Sequence, residues 1–183
     1  MRQQARSGEG LTRRQLLGGA ASGALLLALP GRLWARDALP AALQAALRTS
    51  PLVYICPLQR DGSESRCHAE VWFVPDGEDL LVTTPPERWR ARALATGLVT
   101  ARLWVGDHGR WDRSGGAFRA APSTLARGSR DDDPKVRVRA LALFGSKYAA
   151  EWGKWGPRFR KGLADGSRVL LRYRPIQPRP VQP

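Results

Sequence analysis

The sequence predicts a mainly β, α+β domain that folds as a small, partly closed antiparallel barrel of six or seven strands with two or three helices. Short runs rich in β-branched and aromatic residues recur between turn dipeptides, whereas helical spacing is confined to three segments. Tryptophans spread along the body of the chain provide large apolar surfaces for a core. The 183 residues are enough for a leader and one such domain.

Residues 1–35 have the layout of an export signal and are set apart from a domain at 36–175. Segment Thr12–Leu17 contains Arg13 and Arg14 followed by two leucines, and it resembles the twin-arginine consensus. The uncharged run Leu16–Leu29 is too short to span a bilayer comfortably, and a cleavage site is offered at Ala35. The alternatives are an ordinary Sec signal or an uncleaved anchor. The leader predicts export by the twin-arginine pathway to the periplasm or the extracellular space.

The charge of the chain favours anionic partners. The net charge is +14, and without the leader 25 basic and 15 acidic residues leave about +10. Phosphate-bearing cofactors, nucleic acid and anionic membranes all suit such a balance. An exported protein rarely meets nucleic acid, so nucleic acid is disfavoured, and membrane contact is expected only through the signal segment before cleavage. Because the twin-arginine route carries folded proteins, the leader also favours a cofactor inserted inside the cell.

The first half of the domain reads as a helix followed by an antiparallel meander. Helical spacing covers Asp37–Arg48. Strands are predicted at Leu52–Leu58, at Cys67–Pro75, where apolar and polar residues alternate, and at Leu80–Thr84. The dipeptides Asp61-Gly62 and Asp76-Gly77 supply the two turns.

The second half predicts two further helices and two further strands. A helix at Glu87–Thr96 ends at a glycine, and a strand follows at Leu98–Val105. Residues 106–130 are predicted to be loop, with a hairpin formed by 111–113 and 117–121. Asp133 caps a helix that runs to Trp152, and Arg168–Arg174 is the last strand. The proline-rich residues 176–183 are expected to form a loose tail.

The two cysteines, Cys56 and Cys67, flank the Asp61-Gly62 turn at equal distances. If that dipeptide forms a two-residue turn, the two cysteines lie directly opposite each other on neighbouring strands. An oxidising compartment permits a disulfide, although direct cross-strand disulfides are geometrically demanding, and two buried thiols are the alternative. No metal site is predicted, because two Cys and two His are widely scattered along the chain.

The order of elements from Ser50 to Val105 resembles the FMN-binding split-barrel family, which includes pyridoxamine-phosphate oxidases and deazaflavin-dependent reductases. The residues that carry the likeness are Ser50–Ile55, Val71–Val74 and Leu80–Thr84, followed by Arg88–Leu94, where the family segment resembles Ser-x-Lys-x-Arg-x-Leu. The resemblance implies a split barrel that binds FMN or a deazaflavin at a homodimer interface and transfers hydride or electrons to a small substrate. Arg88 and Arg90 stand where the family often has Ser and Lys, and arginine can bind a phosphate through two hydrogen bonds.

Helix geometry separates the arginines of this segment. At 100° per residue, Arg88 and Arg92 face solvent, whereas Arg90 falls about 200° from Arg88, inside the apolar sector of the helix. We therefore expect Arg90 to bind a phosphate, supported by Thr83 and Thr84 at the end of the preceding strand, because a helix start favours anions. The alternative is that Arg90 reaches the surface or pairs with a carboxylate such as Glu70.

Other functional residues are predicted less sharply. Trp72, His68 and Glu70 share one face of a strand. That face either contacts the edge of a flavin ring or is exposed to solvent. Aromatic residues near Lys147 either line a cleft or pack a helix on the barrel. No Ser-His-Asp group, paired-carboxylate motif or glycine-rich nucleotide loop is present, so neither a hydrolase nor a Rossmann enzyme is indicated and no catalytic residue is named. Besides an oxidoreductase, a non-catalytic module for haem, flavin or another anion and a basic envelope protein without cofactor remain open.

Overall fold

The computed structural model describes residues 39–176, which belong to one compact unit that begins at Arg36. The predicted signal segment, residues 1–35, and the tail beyond Ile176 lie outside the described residues. Among those described, no helix is long and apolar enough to cross a membrane.

Seven antiparallel strands form one curled sheet, a half-barrel, in the order β2-β1-β5-β6-β7-β4-β3. The strands are β1 (Leu52–Pro57), β2 (Ala69–Val71), β3 (Val74–Asp76), β4 (Asp79–Thr84), β5 (Thr100–Gly106), β6 (Ser123–Asp131) and β7 (Val169–Ile176). The C-terminal strand β7 lies inside the sheet, between β6 and β4. The predicted fold class is confirmed. Of the seven predicted strands, two of which form the hairpin at 111–121, four correspond to observed single strands.

Four helices and one short 3-10 turn, Ala117–Ala120, accompany the sheet. The helices are α1 (Ala41–Thr49), α2 (Trp89–Ala95), α3 (Pro134–Lys147) and α4 (Ala149–Asp165). The predicted cap of the third helix is confirmed, because the Asp133 carboxylate accepts a hydrogen bond from the Lys135 N–H at 2.8 Å.

The apolar residues of the strands form three packed groups. The concave face buries a core that includes Val53, Val82, Leu103 and Tyr173. Two separate parts of the chain cover different regions of the outer face of the sheet. Helices α3 and α4 cover β3, β4 and β7, whereas the segment 107–122 covers β1 and β5 through Phe118. Most apolar strand residues are thereby buried, as the core of a single sheet requires.

The predicted strand Cys67–Pro75 is wrong as a single element. It is interrupted at Trp72–Phe73, so that β2 pairs with β1 while β3 pairs with β4 on the opposite edge of the sheet. The buried hydroxyl of Tyr148 accepts a hydrogen bond from the Phe73 N–H at 2.9 Å and lies 2.8 Å from the carbonyl oxygens of Phe73 and Pro51. Tyr148 thus replaces the strand partner that Phe73 lacks.

The pairing of β1 with β2 differs by one residue from the predicted register. Tyr54 pairs with Glu70, and the two strands are joined by a loop rather than by a tight hairpin. The Asp61-Gly62 turn is present, with Gly62 at a φ of 83°, but it closes only an isolated bridge between Leu58 and Glu64. Cys56 therefore does not face Cys67. Within residues 39–176 both cysteines are free, but only Cys56 is buried, whereas the predicted alternative to a disulfide was two buried thiols.

The segment predicted as loop from 106 to 130 contains the nine-residue strand β6, and the hairpin predicted at 111–121 is wrong. The β6 sequence is polar, with Ala126 and Gly128 as its buried residues, so it shows no apolar alternation. Its structure comes from backbone pairing with β5 on one side and β7 on the other. A side chain at Gly128 would collide with Leu94 and Tyr173, because its Cβ would lie 2.8–2.9 Å from their side chains.

The helix predicted to end at Trp152 is two helices. Tyr148 has non-helical dihedrals and separates α3 from α4, which continues through Gly153 and Pro157 to Asp165. Gly145 and Gly156 lie inside the helices because the Trp152 ring packs against both of them and leaves no room for a side chain. A Cβ at either glycine would lie 2.8–2.9 Å from that ring. Tertiary packing of one tryptophan overrides the local signals for a helix end.

A network of arginines and aspartates ties the far edge of the sheet to its centre. Asp79 is 4% exposed and accepts hydrogen bonds from Arg172 and Arg174, each at 2.8 Å. Arg172 also bonds Asp76 at 3.1 Å and Asp131 at 2.8 Å. The hydrogen bonds from Arg174 and Arg172 hold the pKa of Asp79 below its ordinary value.

We expect Tyr148→Phe to lower the free energy of unfolding by about 1–3 kcal/mol, because the buried Phe73 N–H loses its acceptor. Urea denaturation measures this loss. The control is Thr49→Val, which removes an exposed hydroxyl bond to the Ala45 carbonyl and should change stability by less than about 0.5 kcal/mol. Equal effects of the two substitutions would contradict the role given to Tyr148.

We expect acid to destabilise the domain through Asp79. Since the folded pKa is depressed, its contribution is complete above the unfolded value of about 3.9 and is lost as the pH falls through the lower folded value. Asp79→Asn should cost about 1–3 kcal/mol at neutral pH, because it removes a buried carboxylate that accepts hydrogen bonds from Arg172 and Arg174, and should flatten the acid limb of stability against pH. The exposed Asp132→Asn, which removes a single pair with Arg130, is the control and should leave that limb unchanged.

Candidate functional site

The largest cleft described in the domain has a volume of about 820 Å³ and lies between the two covers of the outer sheet face. Its floor is β2 with the flanking residues His68 and Trp72. One wall carries Trp111 from the segment 107–122, and the other carries Trp155 and Phe159 from α4. The end of β4 and the start of α2 close the cleft at one end.

Three arginines line this cleft, Arg88, Arg90 and Arg168. Arg90 is half-buried, whereas Arg88 is exposed, as the helical positions predicted. Arg92, the third arginine of α2, is exposed and does not line the cleft. Burial lowers the pKa of Arg90, and the neighbouring charge of Arg88 contributes in the same direction. Glu70 and Glu87 also line the cleft, so its three arginines exceed its carboxylates by one charge.

Arg90 and Thr83 present polar atoms that are buried without a partner. Among residues 39–176, neither the Arg90 Nε nor the Thr83 Oγ1 makes a hydrogen bond. Arg90 also forms no ion pair with Glu70, since the Glu70 carboxylate accepts from the Trp111 N–H at 3.2 Å. A buried donor without an acceptor costs about 1–3 kcal/mol, so the observed arrangement has room for an anion.

Thr84 does not join this site. It pairs with Val169 of β7, and its side chain lies on the opposite face of β4 from that of Thr83 because strand side chains alternate. Thr83 lines the cleft and Thr84 is not among the residues that do so. The structure thus brings together Arg88, Arg90, Thr83 and Trp72 of the predicted set.

The Trp72 ring is fixed in its position on the cleft floor. It stacks on the Tyr148 ring with centroids 4.2 Å apart and planes 4° from parallel, and the Trp155 ring stands against its edge at 6.1 Å. Of the aromatic residues near Lys147, Trp155 lines the cleft, whereas Tyr148 and Trp152 pack the helices on the sheet. Lys147 itself lies over the Phe73 ring at 3.3 Å, and burial lowers its pKa to about 8.

Of the two alternatives predicted for the strand face of His68, the solvated face is wrong for this residue. It is 9% exposed, and its ring lies 5.4 Å from Trp111 and 5.5 Å from Phe118. Its Nε2 is 3.3 Å from the Glu64 carboxylate and 3.0 Å from an Arg119 guanidinium nitrogen. His68 is therefore held at the cleft floor by contacts on several sides.

Sequence reasoning missed two participants of the cleft, Arg168 and Trp111, and favoured a solvated position for a third, His68. Arg168 precedes β7 and reaches the cleft only because β7 pairs with β4. Trp111 lies in a segment with no regular pattern. His68 looked solvated because its burial comes from Phe118 and Arg119, which lie some fifty residues further along the chain. None of these contacts leaves a local signal.

Solved structures with the same architecture identify the fold. The heme storage protein HutZ of Vibrio cholerae aligns with a TM-score of 0.52 at 15% identity, over 74% of this chain and 89% of HutZ. ChuZ of Campylobacter jejuni aligns with a TM-score of 0.52 at 9% identity, over 73% of this chain and 51% of ChuZ. The fold is of the split-barrel type. At these identities the likeness extends to the fold alone. No protein-family model matches the chain, and no curated protein matches it in sequence.

The split barrel therefore presents a cleft with two chemically different ends. The end at α2 offers guanidinium groups and a threonine hydroxyl to an anion. The floor and walls offer the faces and edges of Trp72, Trp111 and Trp155 to a flat ring. Such a site suits a ligand that joins a ring system to a phosphate or carboxylate.

Proposed function

We propose that the protein belongs to the FMN-binding split-barrel family and binds FMN or a deazaflavin in the cleft beside α2. The observation that carries this proposal is that, within the described residues, the Arg90 Nε and the Thr83 hydroxyl are both buried without a partner and both residues line the same cleft. A phosphate would satisfy both groups and neutralise the excess charge of Arg88 and Arg168. The mainly basic balance of the domain agrees with such a ligand.

Each part of the cofactor has a matching surface. Arg90 and Thr83 would hold the phosphate, and Arg88 would close over it from the solvent side. Trp72, fixed by Tyr148, and Trp111 would bound the ring. A bound flavin or deazaflavin supplies hydride or electron transfer, and the protein contributes binding and orientation. The proposed activity is thus that of an oxidoreductase on a small substrate, with the cofactor at a homodimer interface as in the family that the sequence resembles.

Haem in a non-catalytic module is the second candidate. HutZ, which shares the fold, is a heme storage protein. In this chain the observation that favours haem is His68, a buried imidazole at the floor of an aromatic cleft that also carries arginines for carboxylate groups. Imidazole is a common haem ligand. The two candidates differ in the residues they need, since FMN requires Arg90 and haem requires His68.

We further propose that the protein is exported in its folded state through the twin-arginine pathway. The segment Thr12–Leu17 supports this proposal by its resemblance to the consensus. A cofactor acquired before export gives a chain with such a leader a reason to fold first. The proposal places the mature domain in the periplasm or outside the cell.

We expect Arg90→Ala to weaken FMN binding by about 1.5–3 kcal/mol, because it removes a charged hydrogen-bond donor to the phosphate. Fluorescence titration of the purified protein with FMN measures the dissociation constant. Arg92→Ala is the matched control, since it removes the same charge from the same helix on its solvent face, and it should leave binding nearly unchanged. Equal losses in both variants would refute a specific phosphate site.

The visible absorbance of natively exported protein separates the candidate ligands. Flavin, deazaflavin and haem each have a distinct spectrum. A haem spectrum that is lost in His68→Gln and kept in Arg90→Ala would replace the flavin proposal with the haem one. Colourless protein that takes up none of the three would overturn both, and would leave a basic envelope protein without cofactor.

We expect the double substitution Arg13→Lys, Arg14→Lys to abolish export, because the twin-arginine pathway reads that pair. Cell fractionation and immunoblotting measure the exported fraction. The control is Arg2→Lys with Arg6→Lys, which changes two leader arginines outside the pair and should leave export intact. Normal export of the Arg13, Arg14 variant would instead indicate an ordinary Sec signal.

A further inference from the structure

Cys56, Glu64 and His68 form a compact group on the outer face of β1, beside the cleft but apart from its arginines. One ligand atom from each residue, the Cys56 Sγ, a Glu64 carboxylate oxygen and a His68 ring nitrogen, lies within 4.8 Å of the other two. Cys56 is fully buried, and His68 is nearly so. The residues are brought together by the loop between β1 and β2, whose observed register turns Cys56 toward Ser65 instead of Cys67.

The lone pairs of His68 and Glu64 converge on a cation in the structure. That cation is the Arg119 guanidinium, with one nitrogen 2.7 Å from the Glu64 Oε2 and the other 3.0 Å from the His68 Nε2. A guanidinium only donates hydrogen bonds, so the His68 Nε2 can accept this one only in the tautomer that carries its proton on Nδ1. This is the tautomer that a metal ion needs at Nε2.

The distance between the nitrogen and oxygen ligand atoms suits a small tetrahedral ion. Two ligand atoms bonded to zinc at about 2.0–2.1 Å and at the tetrahedral angle lie about 3.3 Å apart. The His68 Nε2 and the Glu64 Oε2 are 3.3 Å apart. The combination of thiolate, imidazole and carboxylate is a set of ligands that zinc accepts, with three protein ligands and one open position.

We propose that Cys56, Glu64 and His68 form a Zn²⁺-binding site in which the metal replaces the Arg119 guanidinium. Zinc binding forms a bond to the Cys56 sulfur and releases the thiol proton to solvent. The Arg119 side chain is 48% exposed, so it could turn outward when the metal binds, with loss of its cation–π contacts to Trp104 and Phe118. His68 also lines the cleft, so the fourth coordination position lies on the side open to a water or a small ligand.

Two features oppose the metal and set the expected affinity. Arg119 and Arg102, whose Nε lies 3.4 Å from Glu64, both add positive charge beside the ion. Burial raises the pKa of Cys56, so the metal must displace a tightly held proton. Arg119→Gln removes one of the two charges and the competing donor while keeping a polar side chain, and should tighten zinc binding.

The chain contains a matched control for each nitrogen and sulfur ligand, since it has two cysteines and two histidines. The purified protein is titrated with Co²⁺ as a spectroscopic probe and with Zn²⁺ by calorimetry. We expect a thiolate-to-cobalt charge-transfer band in the native protein. Cys56→Ser should abolish the band, and His68→Gln should weaken Zn²⁺ binding by more than about tenfold, a loss that even outer-shell partners can cause. Cys67→Ser and His108→Gln should keep both the band and the affinity.

The site does not rest on the proposed cofactor, because Arg90→Ala should leave Co²⁺ binding intact. Since Cys56 is buried, Cys56→Ser is first compared with the native protein by circular dichroism. If it is unfolded, the charge-transfer band of the native protein and the His68→Gln titration decide. No charge-transfer band in the native protein, equal losses in the His108→Gln control, or unchanged Zn²⁺ affinity in Arg119→Gln would each overturn the proposal.

Discussion

The architecture depends on the hydroxyl of one buried tyrosine. The chain leaves one edge of the sheet after Val71 and joins the opposite edge at Val74, and the backbone of Phe73 between them has no strand to pair with. Tyr148 satisfies that backbone and is itself held there because it interrupts the helical segment 134–165. A single side chain therefore couples the split in the sheet to the bend between the two helices that cover it.

This constraint also positions the cleft. Trp72 is adjacent to Phe73, whose backbone bonds Tyr148, and its ring stacks on the Tyr148 ring. The floor of the cleft therefore has a fixed orientation before any ligand binds. The bend at Tyr148 places α4 so that Trp155 and Phe159 form a wall. The basic end is built separately, by the exit of β4 into α2. A ligand that joins a ring to a phosphate would use both features, because the preorganised floor would contact its ring and the unsatisfied guanidinium would bind its phosphate.

The sequence was informative where local signals and burial agree. The strands Leu52–Pro57 and Asp79–Thr84 are apolar runs bounded by turns, and α2 has one apolar face, so the inward position of Arg90 followed from helix geometry. The sequence was uninformative where strand pairing or tertiary packing determines the local structure. Strand β6 has two buried residues and is held by its neighbours, while Gly156 sits inside α4 because Trp152 needs the space. Arg168 and the group around Cys56 result from strand register, which depends on contacts far apart in the chain.

The position of β7 has a consequence for the order of events in the cell. Strand β7 follows all the other strands in the sequence and lies between β6 and β4, so the sheet remains in two separate parts until β7 has been synthesised. Arg172 then bonds Asp76 and Asp79, which are 96 and 93 residues earlier in the sequence. Closure of such distant contacts is slow compared with local structure formation. The seven-stranded sheet is therefore completed only when β7 inserts between β6 and β4, so a chain that has not yet reached β7 exposes two unpaired strand edges.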